Sequence, residues 1–187
     1  MKFSSQSLDE RIERYWSRRA QGFGAVRRYE LSSEKSRLWL CEIDPFLPSG
    51  PLQILDVGTG TGFFAILMTE LGHAVTGVDL SPAMIDSARE TAQKKNMPID
   101  FHVMNAAQLA LPSARFDVVL SRNLTWTLPD VRAAYTEWYR VLRRGGVLIN
   151  FDADYGNVSF AQQTEKLNQP NAHAAIESAL LKECDAI

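Results

Sequence analysis

The chain has 187 residues, 45% of them apolar and 22% charged, with a formal net charge of −2. That length suits one domain, and a near-neutral balance with no long basic run gives no support to a nucleic-acid partner. No apolar stretch approaches the roughly 20 residues of a membrane span, no signal core follows the N-terminus, and the scattered Cys41, Cys184 and three histidines suggest no metal site. A cytoplasmic protein is expected.

Leu8, Ile12, Tyr15 and Trp16 recur at helical spacing, and a second helix is expected from about Ser33 to Ile43. Pro45, Pro48, Gly50 and Pro51 then break the chain. An apolar run from Leu52 to Val57 predicts the first strand. It enters a loop with Gly58, Gly60 and Gly62, and a helix follows with Phe64, Leu67, Met68 and Leu71 on one face. Glycines at such a turn let the backbone bend sharply and approach a ligand that a Cβ would repel. The dinucleotide fingerprint G-x-G-x-x-G seats a pyrophosphate on a helix N-terminus. Here the order is G-x-G-x-G, and Asp56 stands two residues ahead of the first glycine. A carboxylate there repels a pyrophosphate and suits an ammonium group. The stretch resembles the first motif of the class I S-adenosylmethionine (SAM) dependent methyltransferases, whose ligand carries a sulfonium and an amino group. The resemblance implies that Asp56, Gly58, Thr59, Gly60 and Gly62 hold the cofactor. A structural glycine turn in another α/β protein is the alternative.

Ala74–Asp79 reads as the second strand, and Ser81-Pro82 starts a helix with serine as N-cap and proline at the first helical position. Met84, Ile85, Ala88 and Ala92 give that helix an apolar face. Asp79 ends the strand, where a carboxylate accepts both ribose hydroxyls. It would serve NAD equally well, or simply cap the helix. Leu80 and Met84 are placed to pack on an adenine. Ile99–Met104 is the third strand, followed by Asn105-Ala106-Ala107. Members of the resembled family carry an acid and then alanine here, so the resemblance implies that Asn105 accepts from the adenine amino group and that the backbone beyond it serves a ring nitrogen. An asparagine in a turn is the other reading.

Phe116–Ser121 is the fourth strand. Arg122 and Asn123 leave it where open α/β sheets bind ligands, facing the methionine part of SAM or the substrate. Trp126 either walls the transfer pocket or belongs to the core. Many members of the family have histidine where Thr127 stands, so no general base is assigned. Val131, Ala134, Tyr135, Trp138, Val141 and Leu142 follow a helical period, and the glycines of Arg140-Val-Leu-Arg-Arg-Gly-Gly146 are expected to end that helix before a fifth strand, Val147–Phe151. This segment resembles the family's RVLKPGG, with Arg144 in place of proline. The segment Tyr15 to Phe23 resembles the family's lid helices, with Tyr15 or Arg19 either reaching the ligand carboxylate or lying on the surface. Asp152 and Asp154 either bind a basic substrate group or take a proton, or are solvated.

Alternating strands and helices with short links imply an α/β, Rossmann-like, mostly parallel sheet covered on both faces. Residues 1–48 form a helical cap, 49–155 the SAM-binding core, and 156–187 a loop with a helix from about Asn171 to Glu183. The family's sixth and seventh strands have no apolar run to form them, so the chain reads as C-terminally truncated. The expected function is methyl transfer from SAM, leaving S-adenosyl-L-homocysteine, to an O, N, S or C atom of a small molecule. The alternatives are a SAM-binding module without catalysis, which dimerises through the exposed edge of its sheet, and an NAD-dependent oxidoreductase. The expected partners are a small-molecule acceptor and a second copy of the chain, with neither nucleic acid nor membrane favoured.

Overall fold

The computed structural model describes residues 7–152. Helix α1, Leu8–Leu31, opens on a capping box: the Ser7 hydroxyl accepts from the Glu10 N–H and the Glu10 carboxylate accepts from the Ser7 N–H. Ser33 caps α2, Glu34–Ile43, which runs into a 3₁₀ turn at Asp44–Phe46. The alternating core then begins: β1 Gln53–Val57, α3 Phe63–Glu70, β2 Ala74–Asp79, α4 Pro82–Lys94, β3 Asp100–Val103 and β4 Phe116–Arg122. A 3₁₀ turn at Thr125–Thr127, α5 Val131–Val141 and β5 Leu142–Phe151 complete it. Among the described residues no helix is long and apolar enough to cross a membrane.

The five strands form one parallel sheet in the order β3-β2-β1-β4-β5. The order reverses at β1, so the loops after β1 and β4 diverge there and leave a crevice at the strands' carboxyl ends. Period-two alternation sends neighbouring residues to opposite faces. Ile54, Val118 and Leu120 pack under α3 and α4 with Leu67, Met68 and Ile85, while Leu55, Val57 and Val119 pack against α5 through Ala134 and Trp138.

The expected elements appear among the described residues; β1 starts one residue later than expected, at Gln53, β4 runs one residue further, to Arg122, and three other differences stand out. The predicted apolar face of α3 is wider than expected, because Phe63 through Met68 are all buried, while Leu71 is its exposed C-cap. The third strand is shorter by one residue at each end. The largest difference follows α5. The glycine pair does not end that helix; it stops at Val141, and Leu142 is already extended. The chain pairs with β4 at once, the Arg115 N–H donating to the Val141 carbonyl and Leu142 lying opposite Phe116. The register then shifts between Phe116 and Val118, where Gly145 takes φ +79° and Gly146 lies so near the Asp117 carbonyl that a Cβ would be 2.9 Å from it. The glycines therefore build a bulge inside β5. Asp154 and the expected C-terminal helix lie outside the described residues.

Candidate functional site

A cavity of about 260 Å³ opens at the carboxyl ends of β1, β2 and β4, roofed by α1. Its floor is the glycine loop. The Gly58 and Thr59 N–H groups donate to the Val78 carbonyl at 2.8 and 2.9 Å, and the Gly60 N–H donates to Asp79 Oδ2 at 2.9 Å. These three donors are spent on holding the loop, so the turn is not a phosphate cradle. Gly58 has φ +69°, and a Cβ there would sit 2.8 Å from a Leu124 methyl. Gly62 has φ +87° and does not line the cavity; it lets α3 start close to Ala88 and Phe101.

Two carboxylates stand beside this loop. Asp56 is 2% exposed, and its Oδ2 accepts from the Thr59 hydroxyl at 2.6 Å and from the Ala65 N–H at 3.0 Å. Burial pushes its carboxyl up to about 6, against the lowering effect of those two bonds. Asp79 accepts the Ser81 N–H on Oδ1 and the Gly60 N–H on Oδ2, and burial raises it too. Each of its oxygens keeps acceptor capacity for a ligand hydroxyl. The Thr61 hydroxyl also lines the cavity, buried and without a hydrogen-bond partner.

The β4 side is cationic and aromatic. The Arg122 guanidinium lies 4.0 Å from the Trp39 ring and pairs with Glu30 at 3.0 Å. Glu30 also pairs with Arg27 and accepts from Trp39 Nε1. Burial would raise the Glu30 carboxyl, but Arg27 and Arg122 together hold it below its usual range. Asn123 takes φ +54° and donates its N–H to the Phe151 carbonyl at 2.7 Å. Trp126 donates Nε1 to the Asn123 carbonyl and meets Trp16 edge-on across the mouth.

Of the sequence candidates, Asp56, Gly58, Thr59, Gly60, Asp79, Leu80, Met84, Asn105, Ala106, Arg122, Asn123 and Trp126 line this one cavity. Ala107 does not, and its N–H donates to Asn105 Oδ1. Tyr15 and Arg19 stack on each other outside the cavity. Asp152 instead accepts from the Thr125 N–H and hydroxyl, fixing the turn that carries Trp126. Sequence reasoning missed Asp9, Phe23 and Arg27, which α1 brings to the cavity together with Ile12 and Trp16. Their spacing is one helical stripe, a signal present in the sequence.

Residues 55–150 match the methyltransferase domain family. The chain is 37% identical over 97 residues to malonyl-[acyl-carrier protein] O-methyltransferase of Serratia marcescens, covering 52% of this chain and 36% of that protein. It is 34% identical over 115 residues to ubiquinone biosynthesis O-methyltransferase of Cereibacter sphaeroides, covering 62% of this chain and 47% of that protein. It therefore spans about half or less of the length of the curated relatives it matches. Among solved structures, an S-adenosylmethionine dependent methyltransferase from Mesorhizobium loti is similar, with TM-score 0.53, 29% identity, and coverage of 58% of this chain and 50% of that one. A structure from Methanococcus maripaludis covers 98% of this chain and 87% of its own, with TM-score 0.66 and 18% identity, a likeness of fold alone.

Proposed function

The chain belongs to the methyltransferase domain family, and from that premise we propose that it binds S-adenosyl-L-methionine and methylates an O, N, S or C atom of a small molecule. The observation that carries this reading is the pairing of buried Asp56 and part-buried Asp79 with a glycine loop whose Gly58, Thr59 and Gly60 N–H groups are already spent. Such a site rejects a pyrophosphate and accepts a ligand with an ammonium group and vicinal hydroxyls. The cavity fits that ligand in two further respects. The absence of a Cβ at Gly58 lets Leu124 pack on the loop as a wall of the cavity, and the buried Thr61 hydroxyl lacks a partner.

In this reading Asp56 faces the ammonium group and Asp79 the ribose. Leu80 and Met84 offer an apolar surface to the adenine, and Arg122 and Asn123 border the methionine end. The bound cofactor would supply a sulfonium methyl group that already has a good leaving group. The protein then has to align the acceptor and exclude water, and alignment alone can contribute ~7–11 kcal/mol. Trp16, Trp126 and Phe23 wall the cavity for that purpose. No base is assigned, since the Thr127 hydroxyl donates to the Leu124 carbonyl at 2.7 Å. Residues 1–48 act as the lid, residues 49–155 as the core, and the protein works in the cytoplasm. Its net charge of −2 agrees with a small-molecule acceptor. Among the described residues β5 is the outermost strand, with Leu148 36% exposed, and we extend the reading to a homodimer along it.

Calorimetric titration with SAM and S-adenosyl-L-homocysteine tests the central claim. Micromolar binding is expected, and no heat of binding from a folded protein would overturn it.

A further inference from the structure

The adenine end of the cavity is built differently from what the sequence implies. Asn105 was expected to offer its amide oxygen to an adenine amino group. That oxygen instead accepts the Ala107 N–H at 2.8 Å, closing a turn on its own backbone. The amide nitrogen donates to Asp9 Oδ2 at 2.9 Å, across 96 positions of sequence. The two partners fix the orientation of the amide: a backbone N–H requires the oxygen, and a carboxylate requires the nitrogen. Asn105 is thus engaged at both ends, by its own turn and by the helix above it.

The acid that its position lacks stands on α1. Asp9 lines the same cavity as Asn105, Ala106 and Met84. Its Oδ2 takes the amide, and its Oδ1 has no hydrogen-bond partner among the described residues. A carboxylate at position 105 would put two like charges within 3 Å and drive Asp9 away. The asparagine does the opposite, since its N–H holds and orients the carboxylate.

Building on the SAM-binding reading above, we propose that Asp9 is the residue that reads the exocyclic amino group of the adenine, with Asn105 as its positioning residue. The recognition group is then carried by the lid instead of the sheet. Reading the base and seating α1 over the cavity become one event, because Asp9 reaches Asn105 only when α1 lies against the core. Ser17 adds a second tether, sharing a hydrogen bond with Ser81 at 2.7 Å.

The test compares S-adenosylhomocysteine with its 6-deamino analogue, which lacks only the amino group, by calorimetry. The wild-type protein should prefer the amino form by ~10–100-fold, the range of a charge-assisted hydrogen bond. Asp9→Ala should bring the two affinities together, because it weakens the amino form more than the deamino form; both lose the tether of α1 to Asn105. Glu10→Ala is the control: it removes the capping box of α1 without touching the Asp9–Asn105 pair. It should lower both affinities by the same factor and keep their ratio. A preference that survives Asp9→Ala, or a wild-type protein that binds both ligands equally, overturns the assignment while leaving SAM binding intact. A wild-type protein that binds neither ligand overturns the proposed function, and this inference with it.

Discussion

Asp56 should make the protein less stable as the pH rises from about 4 to about 6. Its carboxyl is 2% exposed, and burial lifts it from 3.8 to about 6. Neighbouring Asp79 adds to the rise, and Arg122 opposes it. The folded protein therefore holds this proton at a pH where the unfolded chain has released it. A raised acid contributes stability below its unfolded value and loses it as pH climbs through its folded value. The gap between 3.8 and about 6 corresponds to about 3 kcal/mol. Asp56→Asn isolates the effect. An asparagine oxygen can still accept the Thr59 hydroxyl and the Ala65 N–H, which both meet Oδ2 in the native protein, but it does not ionise. Urea unfolding of both proteins from pH 4 to pH 8 gives the difference in stability, in which groups common to both largely cancel. Relative to the variant, the wild-type protein should lose about 3 kcal/mol across the window and then level off. Parallel stability curves would refute the reasoning, as would a wild-type protein that gains on the variant with rising pH.

Gly58→Ala forces an L-residue to φ +69° and drives a Cβ to within 2.8–2.9 Å of the Leu124 methyls. A loss of about 1–3 kcal/mol in urea unfolding is expected from the backbone strain, with a larger proportional loss of S-adenosylhomocysteine affinity, because Leu124 lines the cavity. Glu30→Gln removes the carboxylate shared by Arg27 and Arg122, while its amide oxygen can still accept from Trp39. Removing one member of a buried ion pair typically costs ~3–5 kcal/mol. The loss should appear as faster amide exchange in α1 than in β1 or β4, and exchange that rises equally in all three would contradict it.

Much of the core was legible because its signals are local. Ser81-Pro82 specifies a helix start within two residues, and the Ser81 hydroxyl does cap α4 by accepting from the Met84 N–H. Asp56 and Asp79 sit at strand ends that their own apolar runs define, so their place beside the glycine loop followed from chain order. The bulge in β5 was not legible, because a pair of glycines after a helix is the ordinary way to end it. Here the competing partner is β4, which lies more than twenty residues upstream, and its pairing at Phe116 wins. Helix α1 shows the same limit at finer grain. Tyr15 and Trp16 are sequence neighbours, and helical periodicity admits both to an apolar face. What separates them is Trp126, which meets Trp16 at 6.3 Å across the cavity mouth and leaves Tyr15 45% exposed.

Asn105 shows how a departure from a family pattern can mislead when only one residue is considered. Taken alone, the replacement of an acid by an amide is a weakened acceptor, and it argues for a degenerate site. Its physical meaning changes once the 2.9 Å bond to Asp9 is known. A neutral donor is what a neighbouring carboxylate requires, so positions 9 and 105 together carry one acid at that end of the cavity. No local pattern joins two residues 96 positions apart. Only the packing of α1 on α4, with Ser17 on Ser81 and Gly24 against Ser87, brings them together. The substitution that looked like decay in the sequence supplies, in the folded chain, one of the bonds that hold α1 against the core.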